Sequence, residues 1–244
     1  MAFIYAISDI HGERQALQEA LEKIDLTNPQ NKLVLLGDYI DNGPDSCQVL
    51  CDIYELSQKY GKQVVALRGN HDQLFIEFIM KGEMTFLYCD TSLATTETFI
   101  SKEQRAKVME LAKTTELEGV GAYIQMAIRR NHRYLISWLA ELVYYYETEN
   151  QIFVHAGIDE ESNDLWREAT PEDMFIAKYP ATIGGFDKDI IAGHIYTSEV
   201  SGDEDFYGVY WDNQNHYYID GNVNISKKLP ILVYDTESGK YSEL

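Results

Sequence analysis

The stretch KLVLLGDYIDNG, residues 32–43, joins an apolar run to a polar cluster that is rich in glycine and aspartate. A short apolar run followed by turn-forming residues is typical of a buried strand. Residues 3–12, FIYAISDIHG, and residues 63–72, QVVALRGNHD, repeat the same pattern. The sequence therefore predicts three strands, each ending in polar residues: Phe3–Ile7, Lys32–Leu36 and Gln63–Leu67.

Helical patterns follow each of these strands. Apolar residues recur at helical spacing over Gly12–Ile24, and Pro44 begins a second helical pattern that ends at Gly61. A third helix is predicted over Asp72–Met80. This alternation of strands and helices predicts an α/β fold, with a mostly parallel sheet that carries helices on its faces.

Residues 82–150 interrupt the alternation. Lys102–Thr114 and Gly121–Tyr145 have helical patterns, which predicts an inserted helical section over one end of the sheet. Short strands are predicted to resume at Gln151–Val154 and Asp189–Ala192.

The C-terminal part, about 205–244, changes character again. It contains three short, aromatic or β-branched runs separated by turn residues: Tyr207–Trp211, His216–Asp220 and Ile231–Asp235. We expect these runs to form a second, antiparallel sheet. No linker interrupts the chain, and 244 residues fit one large domain, so residues 1–244 are predicted to be a single domain.

Charge and hydropathy narrow the classes of function. The net charge of −20 at pH 7 repels nucleic acid, which disfavours a nuclease and a nucleic-acid partner. No apolar run is long enough to span a bilayer, and Met1–Ile7 lacks the basic start of a signal peptide. We therefore expect a cytoplasmic protein without a membrane partner. An acidic protein that handles phosphate needs metal ions or well-placed arginines as local positive charge.

Two residue types stand apart from the polar strand ends. The three cysteines form no Cys-x-x-Cys pair, and Cys47 and Cys51 lie one helical turn apart. Buried free thiols explain that pair better than a metal site does. His132 and His216 are expected to be structural or solvated.

Side chains that bind metals follow five of the predicted strands. Ligands of an open parallel sheet bind beyond the carboxyl ends of its strands, so these side chains are expected to lie close together. Their oxygen and imidazole groups suit manganese, iron or zinc better than calcium. An isolated Asp-x-His, Gly-Asp or Gly-His is a weak signal and Gly-Asn-His-Asp a moderately specific one, but the ordered set predicts a metal site. The candidate ligands are Asp9, His11, Asp38, Asn70, His155 and His194.

Five short motifs follow one another along the chain: Asp-x-His-Gly (9–12), Gly-Asp-x-x-Asp-x-Gly (37–43), Arg-Gly-Asn-His-Asp (68–72), His-Ala-Gly (155–157) and Gly-His (193–194). In these motifs the sequence resembles the calcineurin-like metallophosphoesterases of the serine/threonine phosphoprotein phosphatase type. Within that superfamily it is similar to the lambda-phosphatase-like enzymes of bacteria and phages and to the symmetrical diadenosine tetraphosphatases. The resemblance implies a four-layer α/β/β/α sandwich, with two central mixed sheets flanked by helices and a helical insertion.

The resemblance also implies two divalent metal ions, manganese by preference, with iron or zinc as alternatives. Asp9 and His11 would hold the first ion, and Asp38 would bridge both ions. Three further ligands would complete the coordination of the second ion: Asn70, His155 and His194. Hydroxide shared between the ions would attack phosphorus directly, so that no phosphoenzyme is needed.

Other residues would then transfer the proton and bind the substrate. The resemblance implies that His71 is the general acid and that Asp41 orients its ring, whereas a metal ligand or a turn residue is the alternative for His71. Arg167 and Arg68 would bind the substrate phosphate. The alternative for Arg167 is an arginine exposed on the surface without a role in binding, and the alternative for Arg68 is a residue that only supports the loop. Asn42 would be a third substrate-binding residue. It stands where the family usually has arginine, and the lost charge-assisted bond would cost about 1.5–3 kcal/mol.

The main hypothesis is a metal-dependent phosphatase that hydrolyses phosphomonoesters, either phosphoserine and phosphothreonine in proteins or small phosphoesters. An alternative is a symmetrical dinucleoside polyphosphate hydrolase, in which the insertion at 82–150 shapes a nucleotide pocket and the cluster Arg129–Arg133 meets the extra phosphates. A further alternative is a module that binds phosphorylated partners without hydrolysis, for which Asn42 is the only support. In each case the predicted partner is a phosphorylated protein or a small phosphoester.

Overall fold

The computed structural model describes residues 2–244, within which the chain forms ten strands and twelve α-helices. The strands are β1 (Phe3–Ile7), β2 (Lys32–Leu35), β3 (Val64–Ala66), β4 (Tyr145–Glu147), β5 (Gln151–Val154), β6 (Asp189–Tyr196), β7 (Tyr210–Trp211), β8 (His216–Asp220), β9 (Leu232–Asp235) and β10 (Lys240–Glu243). The helices are α1 (Arg14–Leu21), α2 (Ser46–Tyr60), α3 (Asn70–Lys81), α4 (Thr85–Cys89), α5 (Ala94–Phe99), α6 (Lys102–Leu111), α7 (Leu117–Asn131), α8 (Arg133–Ala140), α9 (Trp166–Ala169), α10 (Glu172–Ala177), α11 (Thr197–Ser201) and α12 (Val223–Ser226). Short 3-10 turns lie at Gly61–Gln63 and Glu160–Leu165.

The first sheet contains the three N-terminal strands in parallel. Its order is β10-β9-β1-β2-β3, and Tyr5 pairs with Leu33, which in turn pairs with Val64. The predicted alternation is confirmed, because α1 follows β1, α2 follows β2 and α3 follows β3. β9 and β10 extend the sheet in antiparallel pairing, which makes it mixed.

The second sheet has the order β4-β5-β6-β8-β7, with β5, β6 and β8 parallel and the two edge strands antiparallel. The expectation of a separate antiparallel C-terminal sheet is therefore wrong. β8 pairs parallel with β6, whereas β9 joins the first sheet beside β1. All five residues of β8 and three of the four in β9 are buried, so both strands occupy central positions. A local sequence pattern does not identify the neighbours of such strands.

The sheets pack face to face, and helices cover their outer faces. Along β1, Ile4 belongs to a buried cluster between the sheets that includes Phe153, whereas Tyr5 belongs to a second cluster that includes Leu17 of α1. This division follows the alternation of side chains along a strand. A third cluster joins β5 to Phe175 of α10. The predicted four-layer α/β/β/α sandwich is confirmed.

Helices α4 to α8 form the predicted helical insertion, and they pack against α3 through rings such as Phe75 and Phe99, whose centroids lie 4.8 Å apart. The predicted helix Gly121–Tyr145 is wrong in extent. It divides at His132 into α7 and α8, and Tyr145 begins β4. The His132 ring bonds to the carbonyl oxygen of Phe99 at 2.8 Å, so a tertiary contact accompanies the break. Within residues 2–244, no helix has both the length and the apolar character needed to cross a bilayer.

Candidate metal centre

Hydrogen bonds join the polar loop that follows β1 to the loop that follows β2 and to β6. The amide of His11 donates to the carbonyl oxygen of Asp38 at 2.9 Å, which joins the loops after β1 and β2. The amide of His194, in β6, donates to Oδ2 of Asp9 at 3.0 Å. Residues from both sheets therefore meet at one place, as the positions of the predicted ligands at strand ends indicate.

Left-handed backbone conformations are concentrated in these loops. Among residues 2–244, eleven non-glycine residues have positive φ, and six of them belong to the predicted site: Asp9, His11, Asp38, Asp41, Asn42 and His194. Each such conformation costs about 1 kcal/mol or more for a residue with a Cβ. The surrounding contacts must offset this cost, and strain of this kind is typical of functional sites.

Asp38 lies at the centre of the site and is only 2% exposed. Its Oδ2 atom lies 3.4 Å from Nε2 of His155, 3.7 Å from Nε2 of His11 and 4.0 Å from Nε2 of His71. Burial raises the pKa of the Asp38 carboxyl, but the charge and hydrogen bond of His155, with the charges of His71 and His11, outweigh burial. They hold the pKa well below its usual range. The carboxylate is thus charged, as a metal ligand must be.

Backbone carbonyls orient the rings of His11 and His155. Nδ1 of His11 lies 2.9 Å from the carbonyl oxygen of Ile40, and Nδ1 of His155 lies 3.0 Å from that of Leu36. Because a carbonyl oxygen only accepts, both Nδ1 atoms carry a proton, and both Nε2 atoms are left facing Asp38. A metal-binding histidine almost always donates its other ring N–H in this manner.

The two histidines of the second sheet differ in their affinity for protons. Burial lowers the pKa of His155, but the charge of Asp38 and the hydrogen bond to it outweigh burial and raise the pKa to about 9. Burial, followed by the charge of His155, lowers the pKa of His194. Because a ligand nitrogen must be deprotonated, a proton and a cation compete for Nε2 of His155.

The side-chain amide of Asn70 points into the same space. One of its two terminal atoms lies 3.0 Å from Nε2 of His155, 3.0 Å from Nδ1 of His194 and 3.2 Å from Oδ2 of Asp38. The amide has two possible orientations. If its nitrogen occupies this position, it donates hydrogen bonds to the three atoms; if its oxygen does, that oxygen and the three atoms form a set of four metal-binding atoms. Ligand atoms that share a cation at about 2.1 Å lie about 3 Å apart. The donor set therefore fits a divalent metal.

Two groups of side chains hold their ligand atoms within 4.8 Å of one another: His11 with Asp38 and His71, and Asp38 with His155 and His194. Asp38 belongs to both groups, which is the arrangement that a bridging carboxylate needs. Asp9 lies next to the first group, with Oδ1 3.9 Å from Nε2 of His11. All six predicted ligands thus lie in one cluster, and its oxygen and imidazole groups suit manganese, iron or zinc.

His71 and Asp41 form a hydrogen-bonded pair beside these ligands. Nδ1 of His71 lies 2.7 Å from Oδ2 of Asp41. Burial lowers the pKa of His71, but the hydrogen bond to Asp41 and the charges of Asp38 and Asp41 outweigh burial and raise the pKa to about 9. The raised pKa favours the protonated form of the ring. Since Nδ1 is engaged by Asp41, the proton on Nε2 is the one available for transfer.

A cavity of about 260 Å³ opens beside this pair. It is lined by Asp41, Asn42 and His71, and by residues of the segment 89–95 from the insertion. The insertion therefore forms part of the wall of the cavity, so residues outside the five motifs would contact a molecule bound there.

The three predicted substrate-binding residues lie in different surroundings. Asn42 is exposed and lines the cavity. Arg68 is buried and donates to the carbonyl oxygen of Ala140 at 2.7 Å, which matches the bracing alternative. Arg167 is exposed and forms a two-point ion pair with Glu147. Their roles in phosphate binding stay predictions.

Asp72 is a buried residue of the site for which the sequence carries no predicted role. Its carboxylate accepts from the amides of Asp38, at 2.9 Å, and of Gly69, at 3.0 Å. Burial, followed by the charge of Asp38, raises the pKa of Asp72 to about 7. One sequence signal does point to a structural role for Asp72. It lies three positions after Gly69, the residue that precedes α3, and an acidic residue at this position caps the start of a helix.

Thr95 and Asp220 are two further buried residues without a predicted role. The hydroxyl of Thr95 donates to Oδ1 of Asp41 at 2.6 Å. Burial, followed by the charge of Asp9, raises the pKa of Asp220 well above its usual range. Asp220 is the last residue of β8, and no sequence motif points to Thr95.

The histidines and cysteines for which no catalytic or metal-binding role was expected do not belong to the cluster of candidate metal ligands. His132 bonds to a backbone carbonyl at 2.8 Å, and His216 bonds to another at 3.0 Å, so both are structural as expected. The cysteine thiols are free: Cys47 is buried, Cys51 is half-buried and Cys89 is exposed. The expectation of buried thiols is thus confirmed for Cys47 but only partly for Cys51.

Two mixed sheets lie between helices and collect aspartate, asparagine and histidine side chains near their strand ends, which defines an α/β sandwich with a candidate metal centre. The model of the calcineurin-like phosphoesterase family matches residues 4–225, which is most of the chain. The protein belongs to this family, and the resemblance predicted from the motifs is confirmed. Members of the family use a dinuclear site for divalent metals.

Sequence relatives fall into two groups. The chain is 43% identical over 68 residues to the symmetrical bis(5'-nucleosyl)-tetraphosphatase of Cellvibrio japonicus, a match of 28% of this chain and 24% of the relative. It is 42% identical over 64 residues to the serine/threonine-protein phosphatase 6 catalytic subunit of Caenorhabditis elegans, a match of 26% of this chain and 19% of the relative. The chain thus spans about a quarter or less of these relatives, and their near-equal identities favour neither group.

Solved structures match over nearly the whole chain. A serine/threonine phosphatase from Saccharomyces cerevisiae has a TM-score of 0.60 and 13% identity, with 100% of this chain and 79% of that chain covered. The cold-active protein-tyrosine phosphatase of a Shewanella species has a TM-score of 0.58 and 16% identity, with 99% and 80% covered. At these identities the likeness shows the shared fold.

Proposed function

We propose that this protein is a metal-dependent phosphatase that hydrolyses phosphomonoesters, either phosphoserine and phosphothreonine in proteins or small phosphoesters, with His71 as general acid. The observation that carries the proposal is the position of His71. Its Nε2 atom lies 4.0 Å from the shared ligand Asp38, while its Nδ1 atom is held by Asp41. The proposed proton donor thus lies beside the candidate metal ligands, where it would reach the leaving group of a phosphate ester held by them.

The ligands of two divalent ions would come from the strand ends of both sheets. Asp9 and His11 would hold one ion, Asp38 would bridge both, and the other ion would be completed by Asn70, His155 and His194. When bound, such ions supply Lewis-acid stabilisation of the phosphoryl oxygens and activate the attacking water. The carbonyls behind His11 and His155 keep their rings aimed at Asp38, so the ligands are oriented before any ion arrives.

His71 would complete the displacement. As the oxygen of water bonds to phosphorus and the bond from phosphorus to the ester oxygen breaks, Nε2 of His71 gives its proton to the departing alkoxide. Asp41 keeps Nδ1 protonated and fixes the plane of the ring. A general acid of this type typically contributes about a hundredfold to ten-thousandfold in rate.

The cavity supports a monoester more than a polyphosphate. Its volume of about 260 Å³ is small, and Asp41 and Asp90 are among its lining residues. Carboxylates repel additional phosphate groups, so the leaving group favoured here carries no further negative charge. The residues Arg129 and Arg130, expected to meet extra phosphates in the alternative, are exposed at the end of α7.

A symmetrical dinucleoside polyphosphate hydrolase is the second candidate, supported by relatives of that name at up to 43% identity. A binding module without hydrolysis is less well supported, because the His71–Asp41 pair is intact. One experiment separates the three. Phosphate release is measured from phenyl phosphate, a phosphoserine peptide and diadenosine tetraphosphate, each with manganese or with a chelator.

The variants His71→Asn and Asp38→Asn test the site, and Asp52→Asn, which breaks an ion pair with Arg14 on α1, is a matched control. The proposal predicts manganese-dependent release from the monoesters, a loss of about a hundredfold or more in both site variants, and native rates in the control. Turnover of diadenosine tetraphosphate alone would select the second candidate. Metal binding without release from any ester would select the binding module.

A further inference from the structure

The carboxylate of Asp41 has a second partner in addition to His71. The hydroxyl of Thr95 donates to Oδ1 of Asp41 at 2.6 Å, while Oδ2 lies 2.7 Å from Nδ1 of His71. Thr95 is 2% exposed and lies on α5, within the insertion. A hydrogen bond from the insertion thus ends on the group that orients the proposed general acid.

Asp90 fixes the start of the helix that carries Thr95. Its Oδ1 accepts from the amide of Thr95 at 3.2 Å, and its Oδ2 accepts from the amide of Thr96 at 2.9 Å. A buried carboxylate that accepts from the first amides of a helix satisfies groups that have no partner inside the helix. The backbone of Thr95 is therefore held in place independently of its own hydroxyl.

The same helix is anchored to the rest of the protein at its other end. The hydroxyl of Thr98 accepts from the amide of Cys47, on α2, at 3.1 Å and donates to the carbonyl oxygen of Thr95 at 2.7 Å. The ring of Phe99 lies 4.8 Å from that of Phe75, on α3. Since α2 follows the loop that carries Asp41 and the first turn of α3 contains His71, these anchors fix Thr95 relative to the pair.

The two hydrogen bonds together determine the orientation of Asp41. Hydrogen bonds to both oxygens restrict the rotation of a carboxylate about its Cβ–Cγ bond more than a hydrogen bond to one oxygen does. Because Oδ2 directs Nδ1 of His71, fixing the carboxylate also fixes the direction in which Nε2 delivers its proton. A displacement of about 1 Å at such a group is enough to cost about a hundredfold in rate.

We propose that Thr95 is a positioning residue that acts through Asp41 on His71, and that the insertion thereby contributes to protonation of the leaving group. This inference rests on the proposed function, because it assigns Thr95 a part in that reaction. It predicts a defect that depends on how much the leaving group needs a proton. A residue that merely supports the fold would affect all substrates alike.

The test uses two esters, 4-nitrophenyl phosphate, whose phenolate leaves readily, and phenyl phosphate, whose phenolate needs more help from the acid. Thr95→Val keeps the branched shape but removes the hydroxyl, and Thr95→Ser keeps the hydroxyl. We expect Thr95→Val to lower kcat about tenfold on phenyl phosphate and much less on 4-nitrophenyl phosphate, because one charge-assisted hydrogen bond is lost. Thr95→Ser should restore most of the rate on both esters.

Thr96→Val is the matched control, because Thr96 is the adjacent buried threonine and the described chain has no hydrogen bond between its hydroxyl and Asp41. This control should keep the native ratio of rates on the two esters. In a His71→Asn background, Thr95→Val should cause no further loss on phenyl phosphate, since the group through which it acts is gone. Melting temperatures of the variants, measured alongside, identify any loss caused by unfolding.

The outcomes separate this inference from the proposed function. Equal losses on both esters, no recovery in Thr95→Ser, or a full additional loss in the His71→Asn background would overturn the role of Thr95 while the phosphatase stands. If the native protein with manganese hydrolyses neither these two esters nor a phosphoserine peptide, the proposed function fails, and the role of Thr95 fails with it.

Discussion

The backbone of Gly69 lies directly against the side chain of Asp38: a Cβ added to Gly69 would stand 2.1 Å from Oδ1 of Asp38 and 2.4 Å from its amide nitrogen. Neither atom can move away freely, because Asp38 is held by hydrogen bonds on both sides. Its amide donates to Asp72, and its Oδ1 accepts from the amide of His71. The glycine of the motif at 68–72 is therefore required by close approach.

Gly69→Ala is expected to displace the Asp38 carboxylate and to lower phosphatase activity about a hundredfold, since a shift of about 1 Å misplaces the shared ligand. Manganese affinity, measured by calorimetry, should fall with it. Gly185→Ala is the matched control, because its Cβ would meet only Gln214 at 3.5 Å, an ordinary contact. Native metal affinity in Gly69→Ala would contradict the close-approach explanation.

Metal binding is expected to stabilise the fold. An ion that binds only the folded state adds about 2.7 kcal/mol at a free concentration of one hundred times its Kd. For a chain of this length this corresponds to a rise in Tm of roughly 5–10 °C, measurable by thermal unfolding with manganese or with a chelator. Asp38→Asn should remove most of the rise, and an equal rise in that variant would show that manganese binds elsewhere.

The ion pair between Lys178 and Glu160 supports the loop that carries His155, because Lys178 also donates to the carbonyl oxygen of Ile158 at 2.7 Å. Burial raises the pKa of Glu160, but its contact with His216 and its ion pair with Lys178 outweigh burial and lower the pKa below 4.5. The pair therefore stabilises the fold above about pH 4.5, and this stabilisation is lost as the pH falls through the lowered pKa.

Glu160→Gln is accordingly expected to lower the free energy of unfolding by about 2 kcal/mol at pH 7, as measured in urea, with a smaller difference from the native protein in acid. Glu161→Gln changes an exposed neighbouring carboxylate and should leave the unfolding curve unchanged. A difference that stays constant into acid would contradict the assigned pKa direction.

Asn42→Arg is expected to raise kcat/KM for aryl phosphates about tenfold, because a guanidinium at the cavity wall would donate two hydrogen bonds to a phosphate. It should also lower stability by about 1 kcal/mol, since Asn42 has a φ of 65° and asparagine tolerates this region better than arginine. Asn42→Gln, a neutral side chain of intermediate length, is the control. An unchanged kcat/KM in Asn42→Arg would indicate that another group already contacts the phosphate.

The first sheet and the ligand cluster could be predicted because both follow from local patterns. Apolar runs define β1, β2 and β3, and parallel strands place their ends at a common edge. The partners of β8 and β9 could not be predicted, because a strand buried on both faces carries no mark of its neighbours. The break at His132 depends on Phe99, far away in sequence. Thr95 is likewise hidden, because its hydroxyl meets Asp41 across 54 positions.

The centre takes Asp9, His11, Asp38 and Asn70 from the first sheet, and the remaining ligands from the second. Asn70 meets His155 across 85 positions, and the bond between His194 and Asp9 spans 185. Contacts between residues so far apart in sequence are expected to form late in folding, because closing the long loop between them costs conformational entropy. Neither half of the chain offers a complete set of candidate ligands, so the binding of two ions at this centre would report that the two sheets have already docked.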